Sequence, residues 1–257
     1  MALITLTSDF GESDHYVGAV KASILGVNHN LSIVDLSHNI QNFDLAHGAF
    51  VLRASFRSFP KGTVHVVAVD SIGNRGDKQL AVQLEDHFFL VTDNGLLGLI
   101  SDAEPQAIVE LAYEGEKTSP FPVRDILGPA AARLADGIDI QELGKPIEGY
   151  KRMLGRKLRA TKEQIQGHVV RVDHYGNLIT NIEQKVFCEF SKGKRFTVVI
   201  GREQFKRIND SINETGSGDC YIIFNSLGLL EIGINKGHAS ELLGLRFDSP
   251  VKIILEE

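Results

Sequence analysis

Cysteine is scarce in this chain: Cys188 and Cys220 are the only two, far apart and in no metal-binding spacing. No metal site is read from them, and each thiol is expected as a small buried hydrophobe in a reducing compartment. Long apolar runs are missing as well, so no stretch of the 257 residues can cross a bilayer as a helix. Positive charge does not predominate. Lys and Arg number 27 against 33 Asp and Glu, a formal net charge of −6, which argues against nucleic acid as a partner. Met1 leads straight into an apolar run with no basic segment or cleavage site, so the expected location is cytoplasmic, with no membrane partner.

What is present begins with Ile4-Thr5-Leu6-Thr7-Ser8-Asp9-Phe10-Gly11. Its β-branched apolar run predicts a buried strand that stops at Ser-Asp-Phe-Gly. Ser13 or Asp14 then caps a helix whose Val17, Val20, Ile24 and Leu25 share one face. A strand over 31–36, a helix over 42–56 and a strand over 63–69 ending at Asp70 continue the alternation. That order predicts a mainly parallel sheet with right-handed crossovers. A hairpin is expected over 80–84 and 87–91, turned by Glu85-Asp86. A short helix over 96–100, a strand over 107–111 and a helix over 124–135 follow.

Residues 145–165 change character, with Lys145, Lys151, Arg152, Arg156 and Lys157 set among Gly149 and Gly155. Such a run reads as a connection and a solvated strap, since Tyr150 alone offers a ring for base stacking. From Gln166 onward short alternating strands, with one helix at 239–243, predict a small barrel. The expected fold is α/β: a mainly parallel sheet domain over 1–150, a connection over 151–165, and a smaller C-terminal β-barrel domain over 166–257.

Ligands of parallel α/β sheets collect at the carboxyl ends of strands, which singles out Asp9 and Asp14. A carboxylate offers only acceptors and suits the two hydroxyls of a ribose; Asp9 can equally serve nearby loop amides. In Val172-Asp173-His174-Tyr175-Gly176-Asn177 a tight turn brings Asp173 beside Asn177. That pair can hold an amino-acid end of a ligand, or only stabilise its own turn. Asn225, Ser226 and Asn235 stand at strand ends, where they can bond an adenine edge or a carboxylate.

Taken together, TSDFG..D.YVG..K at the start, DNGLL in the middle and RD...PAAA.LA at 124–135 carry a resemblance over nearly the whole chain. It continues in VD.YGNLITNI from Val172 and NS.G.LEI..N.G.A from Asn225. The chain resembles a divergent member of the S-adenosylmethionine hydroxide adenosyltransferases, relatives of the fluorinase and chlorinase enzymes. The resemblance implies a homotrimer with ligand sites between neighbouring subunits and a small adenosyl ligand as partner. It implies Asp9 on the ribose hydroxyls, Asp173, Asn177 and Ser226 on the methionine end, and Asn235 near adenine. S-adenosylmethionine enters as substrate, with no separate cofactor and no metal, and water or hydroxide displaces methionine at the ribose C5′ carbon.

The water-activating set departs from the family pattern. Where the family reads DPGVGT.RR, this chain has Asp70-Ser71-Ile72-Gly73-Asn74-Arg75-Gly76-Asp77-Lys78. Asp70 is kept, Asp77 and Lys78 stand in the arginine positions, and Arg75 is nearby. Where the family reads FHGRD, Pro122 replaces the histidine, and proline has neither a ring nitrogen to titrate nor an N–H. The expected catalytic residues are therefore Asp70 with Lys78 or Arg75; His15 or His47 is a further candidate. An adenosyl-binding protein without turnover is the alternative.

Overall fold

A computed structural model describes residues 3–72, 77–113 and 119–256. The chain divides into two compact units, Met1–Gly155 and Arg156–Glu257.

The first unit carries a seven-stranded sheet. Its strands are β1 (Ile4–Ser8), β2 (Ile33–Ser37), β3 (Val64–Ala68), β4 (Gln79–Leu84), β5 (His87–Thr92), β6 (Ala107–Leu111) and β7 (Gly144–Pro146), in the spatial order β2-β1-β3-β5-β4-β6-β7. Pairing is parallel among β2, β1, β3 and β5, as the alternating pattern predicts, and antiparallel from β5 outward. The sheet is thus mixed. The switch is made by the β4–β5 hairpin, whose Glu85 and Asp86 both adopt left-handed backbone, φ 50° and 63°. Two positive φ values in a two-residue loop give the turn whose twist matches a hairpin.

Helices α1 (Tyr16–Val27) and α4 (Gly128–Ala135) cover one face, α2 (Leu45–Ser55) and α3 (Leu97–Ile100) the other. Along β3 the side chains alternate accordingly. Val64, Val66 and Ala68 join the core with Ile24 and Leu127, while Val67 joins Leu52, Phe56 and Phe89. A strand covered on both faces is apolar throughout, which is why 63–69 carries no polar alternation. His65 is the exception, fully buried and stacked on Phe89 at 4.9 Å. Its Nδ1 lies 2.6 Å from Thr5 Oγ1 and its Nε2 3.1 Å from His87 Nδ1.

Two expectations for the helices are corrected. Neither Ser13 nor Asp14 caps α1: His15 precedes it without a side-chain cap, and Leu25 points outward while Val20 and Ile24 are buried. The helix expected over 124–135 opens as a wider π turn, Val123–Leu127, with Gly128 N–H donating to Val123 O. Pro129 explains the widening, since its ring cannot sit above the carbonyl four residues back in a regular turn.

The second unit is a curled antiparallel sheet, a half-barrel in line with the β-barrel domain expected. Its strands are β8 (Arg159–Ala160), β9 (Gln164–Val172), β10 (Leu178–Glu183), β11 (Arg195–Ile200), β12 (Glu203–Phe205), β13 (Cys220–Phe224), β14 (Leu229–Ile234) and β15 (Pro250–Glu256). The order is β12-β11-β15-β9-β10-β14-β13, with β8 on β9. Ile165, Val169, Leu178, Ile232 and Ile253 fill its concave core. Beside the expected helix α6 (Ala239–Leu243) lies an unexpected one, α5 (Gln184–Ser191). Its Phe187 ring packs 5.1 Å from Phe196 and 5.4 Å from Phe224. Cys188, on the outer face of α5, is exposed and Cys220 half-buried, so neither is the fully buried hydrophobe expected.

The basic stretch is tied down by ion pairs. Lys151 pairs with Asp77 at 2.6 Å, Arg152 with Glu104, and Arg156 with Asp248 at 2.9 Å. Among the described residues no helix is long and apolar enough to cross a membrane.

Candidate functional site

Parallel pairing puts the ends of β1, β3 and β5 side by side, and the acids that follow them meet there. Ser8 is in register with Ala68, so Asp9 and Asp70 leave the sheet as neighbours. Asp9 Oδ2 accepts from the backbone N–H of Asp70 at 3.1 Å and of Phe43 at 3.0 Å. Both donors have left-handed backbone, φ 46° at Asp70 and 64° at Phe43. That conformation costs about 1 kcal/mol or more for a residue with a Cβ, and hydrogen bonds to a carboxylate, worth about 1.5–3 kcal/mol, offset it. Asp9 therefore serves loop amides with one oxygen, while the other is unpartnered among the described residues.

Asn94 completes the edge. Its Nδ2 donates to Val69 O at 2.9 Å and Asp70 O at 3.1 Å, while its Oδ1 accepts from Leu96 N. The Asp70 peptide is thus held from both sides, by Asp9 at its N–H and by Asn94 at its carbonyl. Phe43 leaves its ring 69% exposed beside Asp9. Behind the edge, Ser8 Oγ lies 2.7 Å from His38 Nδ1, and His38 Nε2 lies 3.1 Å from Asp35 Oδ1. The order Ser-His-Asp is that of a nucleophilic triad, but Ser8 is buried and its Oγ accepts from Phe10 N, so this relay braces the loop.

The remaining first-unit candidates point elsewhere. Lys78 Nζ is 2.7 Å from Glu110, and Asp77 is 2.6 Å from Lys151, so neither ion pair includes Asp70. Lys151 N also donates to Asp93 Oδ1 at 2.7 Å. Arg75 lies outside the described residues. Pro122 begins the π turn, where Arg124 pairs with Asp125 at 2.6 Å. His47 is buried in α2, its Nδ1 accepting from Gln41 N, whereas His15 is exposed against Tyr16. Asp14 is exposed in the segment before α1.

In the second unit the β9–β10 turn brings Asp173 and Asn177 together. Asp173 Oδ1 accepts from Tyr175 N at 2.9 Å and Asn177 N at 2.8 Å, and Asn177 Nδ2 donates to Asp173 Oδ2 at 3.1 Å. Gly176 makes the turn possible with φ 82°, and a Cβ there would lie 2.3 Å from His238 Nδ1. Two residues not singled out for chemistry from sequence extend the cluster. Tyr221 OH donates to Asn177 Oδ1 at 3.1 Å, and Glu231, 8% exposed, accepts from Asn225 Nδ2 at 3.0 Å. Burial raises the carboxyl of Glu231 above its ordinary value, against the hydrogen bond from Asn225. Burial, with Glu231 and Asp173 nearby, pushes the Tyr221 hydroxyl up to about 12.

Ser226 and Asn235 flank β14 at its opposite ends. Ser226 is exposed in the turn before it; Asn235 follows it, with Nδ2 on Thr215 O at 2.8 Å. Register puts the Asp173–Asn177 turn toward the Asn235 end, since Leu178 pairs with both Val172 and Ile232. A signal for the missed residues does exist. Glu231 and Gly233 share a face of β14, and a Cβ on Gly233 would lie 2.1 Å from Tyr221 Cζ, so the glycine makes room for the ring that reaches Asn177.

A mixed α/β unit with acids gathered at its strand ends, joined in one chain to a curled antiparallel unit with a polar turn, defines the class. Residues 4–144 match the model of the SAM hydroxide adenosyltransferase N-terminal domain, and residues 167–252 that of the C-terminal domain. The chain belongs to the SAM hydroxide adenosyltransferase family. It is 31% identical to an (R)-S-adenosyl-L-methionine hydrolase of Methanocaldococcus jannaschii, over 98% of this chain and 95% of that one. It is 30% identical to another of that name from Thermus thermophilus, over 99% and 100%. A fluorinase of an Actinoplanes species is 23% identical over 71% of this chain and 72% of its own. The crystal structure of an uncharacterized conserved protein from Thermotoga maritima superposes with a TM-score of 0.89 at 30% identity, covering 98% of this chain and all of that one.

Proposed function

We propose that this protein binds S-adenosylmethionine and hydrolyses it to adenosine and methionine. The observation that carries the reading is Asp9: two amides hold one carboxylate oxygen, and the other is left to accept from a ribose diol. The exposed ring of Phe43 supplies an apolar wall beside it. Asp173, anchored by two backbone amides and by Asn177, suits the ammonium of the methionine end. Ser226 and Asn235 take the assignments of the family pattern, on the methionine end and near adenine.

In the reaction a water oxygen forms a bond to C5′ as the C5′–S bond breaks. The electron pair goes to sulfur, methionine leaves as a neutral thioether, and the water proton passes to a base. Asp70, held at its peptide by Asp9 and Asn94, is the candidate base. Lys78 takes the cationic role by exchanging Glu110 for the reacting centre, a change that an exposed ion pair worth under about 1 kcal/mol permits. Arg75 remains a candidate for the same role.

Incubation of the purified protein with S-adenosylmethionine tests the reading, with adenosine and methionine as the expected products. Pro122 in the histidine position and Lys78 on Glu110 favour a second reading, binding without turnover. Calorimetric binding with no product after long incubation selects that one, and no binding at all removes both. A homotrimer in the cytoplasm is the assembly and setting that the family pattern suggests, and a sizing column checks the former.

A further inference from the structure

Three cations of the second unit stand together with little to balance them. Arg156, Lys157 and Arg159 line an open pocket of about 470 Å³ with Gln166 and His168, and no acid is among the residues that line it. Arg156 is paired with Asp248 at 2.9 Å. Lys157 and Arg159 have no ion pair among the described residues.

Strand geometry explains the grouping. β8 and β9 run antiparallel with Arg159 opposite Gln166. Side chains two residues apart share a face of a strand, so the same register, carried on, sets Lys157 opposite His168 on that side. The backbone beneath is fixed by one side chain. Asn181 Oδ1 accepts from His168 N at 2.8 Å, and its Nδ2 donates to Arg156 O at 3.0 Å. Gly167 makes room for that amide, since a Cβ there would lie 2.5 Å from Asn181 Oδ1. Like charges held side by side on a sheet are destabilising, so a segment pinned in this way leaves a repulsion that an anion relieves.

His168 adds a donor. Its Nδ1 is buried without a partner. A buried N–H lacking an acceptor is rarer than an unused lone pair, so the neutral ring carries its hydrogen on Nε2. The pocket therefore offers two guanidinium forks, one ammonium and an imidazole N–H. Guanidinium groups bind phosphate oxygens in pairs and an ammonium adds a point charge, which suits phosphate. The volume is that of a small-molecule site, larger than one phosphate group fills. No Phe, Tyr or Trp lines it, so a base finds no stacking partner and the phosphate chain is what the side chains grip.

We propose that Arg156, Lys157, Arg159 and His168 form a binding site for an oligophosphate, either a free inorganic chain or the phosphate chain of a nucleotide. The site shares no residue with the adenosyl reading and does not depend on it.

Calorimetry of the full chain with inorganic triphosphate tests the site. Saturable binding is expected, weakening as salt is raised. Lys157→Ala combined with Arg159→Ala reduces affinity about tenfold or more. Removing two other exposed lysines of the same unit, by Lys192→Ala with Lys206→Ala, leaves it within about twofold. Citrate, an anion with carboxylate oxygens only, binds about tenfold more weakly than triphosphate. Nitrogen-15 spectra of histidine-labelled protein, with His168 assigned through His168→Gln, show the His168 ring signals moving as triphosphate is added.

Absence of saturable binding overturns the proposal. So does a Lys192 and Lys206 variant as impaired as the Lys157 and Arg159 one, a His168 signal that stays in place, or citrate bound as tightly as triphosphate. Adenosine triphosphate separates the two sources: tighter binding than inorganic triphosphate assigns the site to a nucleotide, and equal or weaker binding assigns it to the free chain.

Discussion

The two units hold their acids in opposite ways. In the first, Asp9 is fixed by amides 34 and 61 residues away, so its geometry depends on β1 and β3 being neighbours. In the second, Asp173 is fixed by donors two and four residues on, so one turn builds the site. The buried titratable groups differ as well: neutral histidines behind the first sheet, an acid beneath the second. The lesson is that similar carboxylate chemistry can rest on tertiary structure or on local structure, and that each is broken differently.

The largest expected effect separates the units by pH. Burial lowers His65 from 6.5 to about 3, with the neighbouring His87 adding to the shift, and burial lowers His87 too. These groups are neutral when folded, so the stability of the first unit is complete above about pH 6.5. It is lost as pH falls toward 3, by up to about 1.4 kcal/mol per unit for His65. Glu231 has the opposite sign: its raised value favours the folded state below its ordinary 4.5, and that contribution is lost as pH rises. Hydrogen exchange followed by peptide between pH 7 and about pH 4 should show β3 and β5 losing protection before β13 and β14. The reverse order would break the comparison.

Next in size is Asp70→Asn. If Asp70 is the base, turnover falls about 100-fold or more with affinity unchanged, as product assays and calorimetry will show. Asp9→Ala removes the acceptor for two left-handed residues and, with it, the proposed ribose contact. Affinity should fall about thirtyfold and stability by about 2–3 kcal/mol in urea; an unchanged affinity counts against the ribose role. Smallest is the Lys78–Glu110 pair. Lys78→Ala should slow turnover about tenfold, while Glu110→Ala, which frees the ammonium, should leave turnover equal or faster. Stability should move by less than about 1 kcal/mol in either variant.

What could be read in advance follows the same local-to-distant divide. The Glu85-Asp86 hairpin and the Asp173–Asn177 turn were legible, because neighbours in sequence make them. The antiparallel half of the first sheet was not, since strand alternation does not say where β4 inserts. Helix α5 escaped because eight residues hold just one buried side chain, Phe187, next to half-buried Val186 and Phe190. Asp9 could be chosen from its place at a strand end, but its amide partners at 43 and 70 could not. Tyr221 and Glu231 sat inside apolar strands, and only the glycine on the shared face hinted that a ring crossed there.

One atom, Asp9 Oδ2, gathers three separate segments at a single point. Closing both long loops onto it is entropically late, so this corner should assemble after the sheet and open before it. The amides of Phe43 and Asp70 then become natural reporters: their exchange rates would track the docking of the loops without any substrate present. Occupation of the corner by a nucleoside would slow them together.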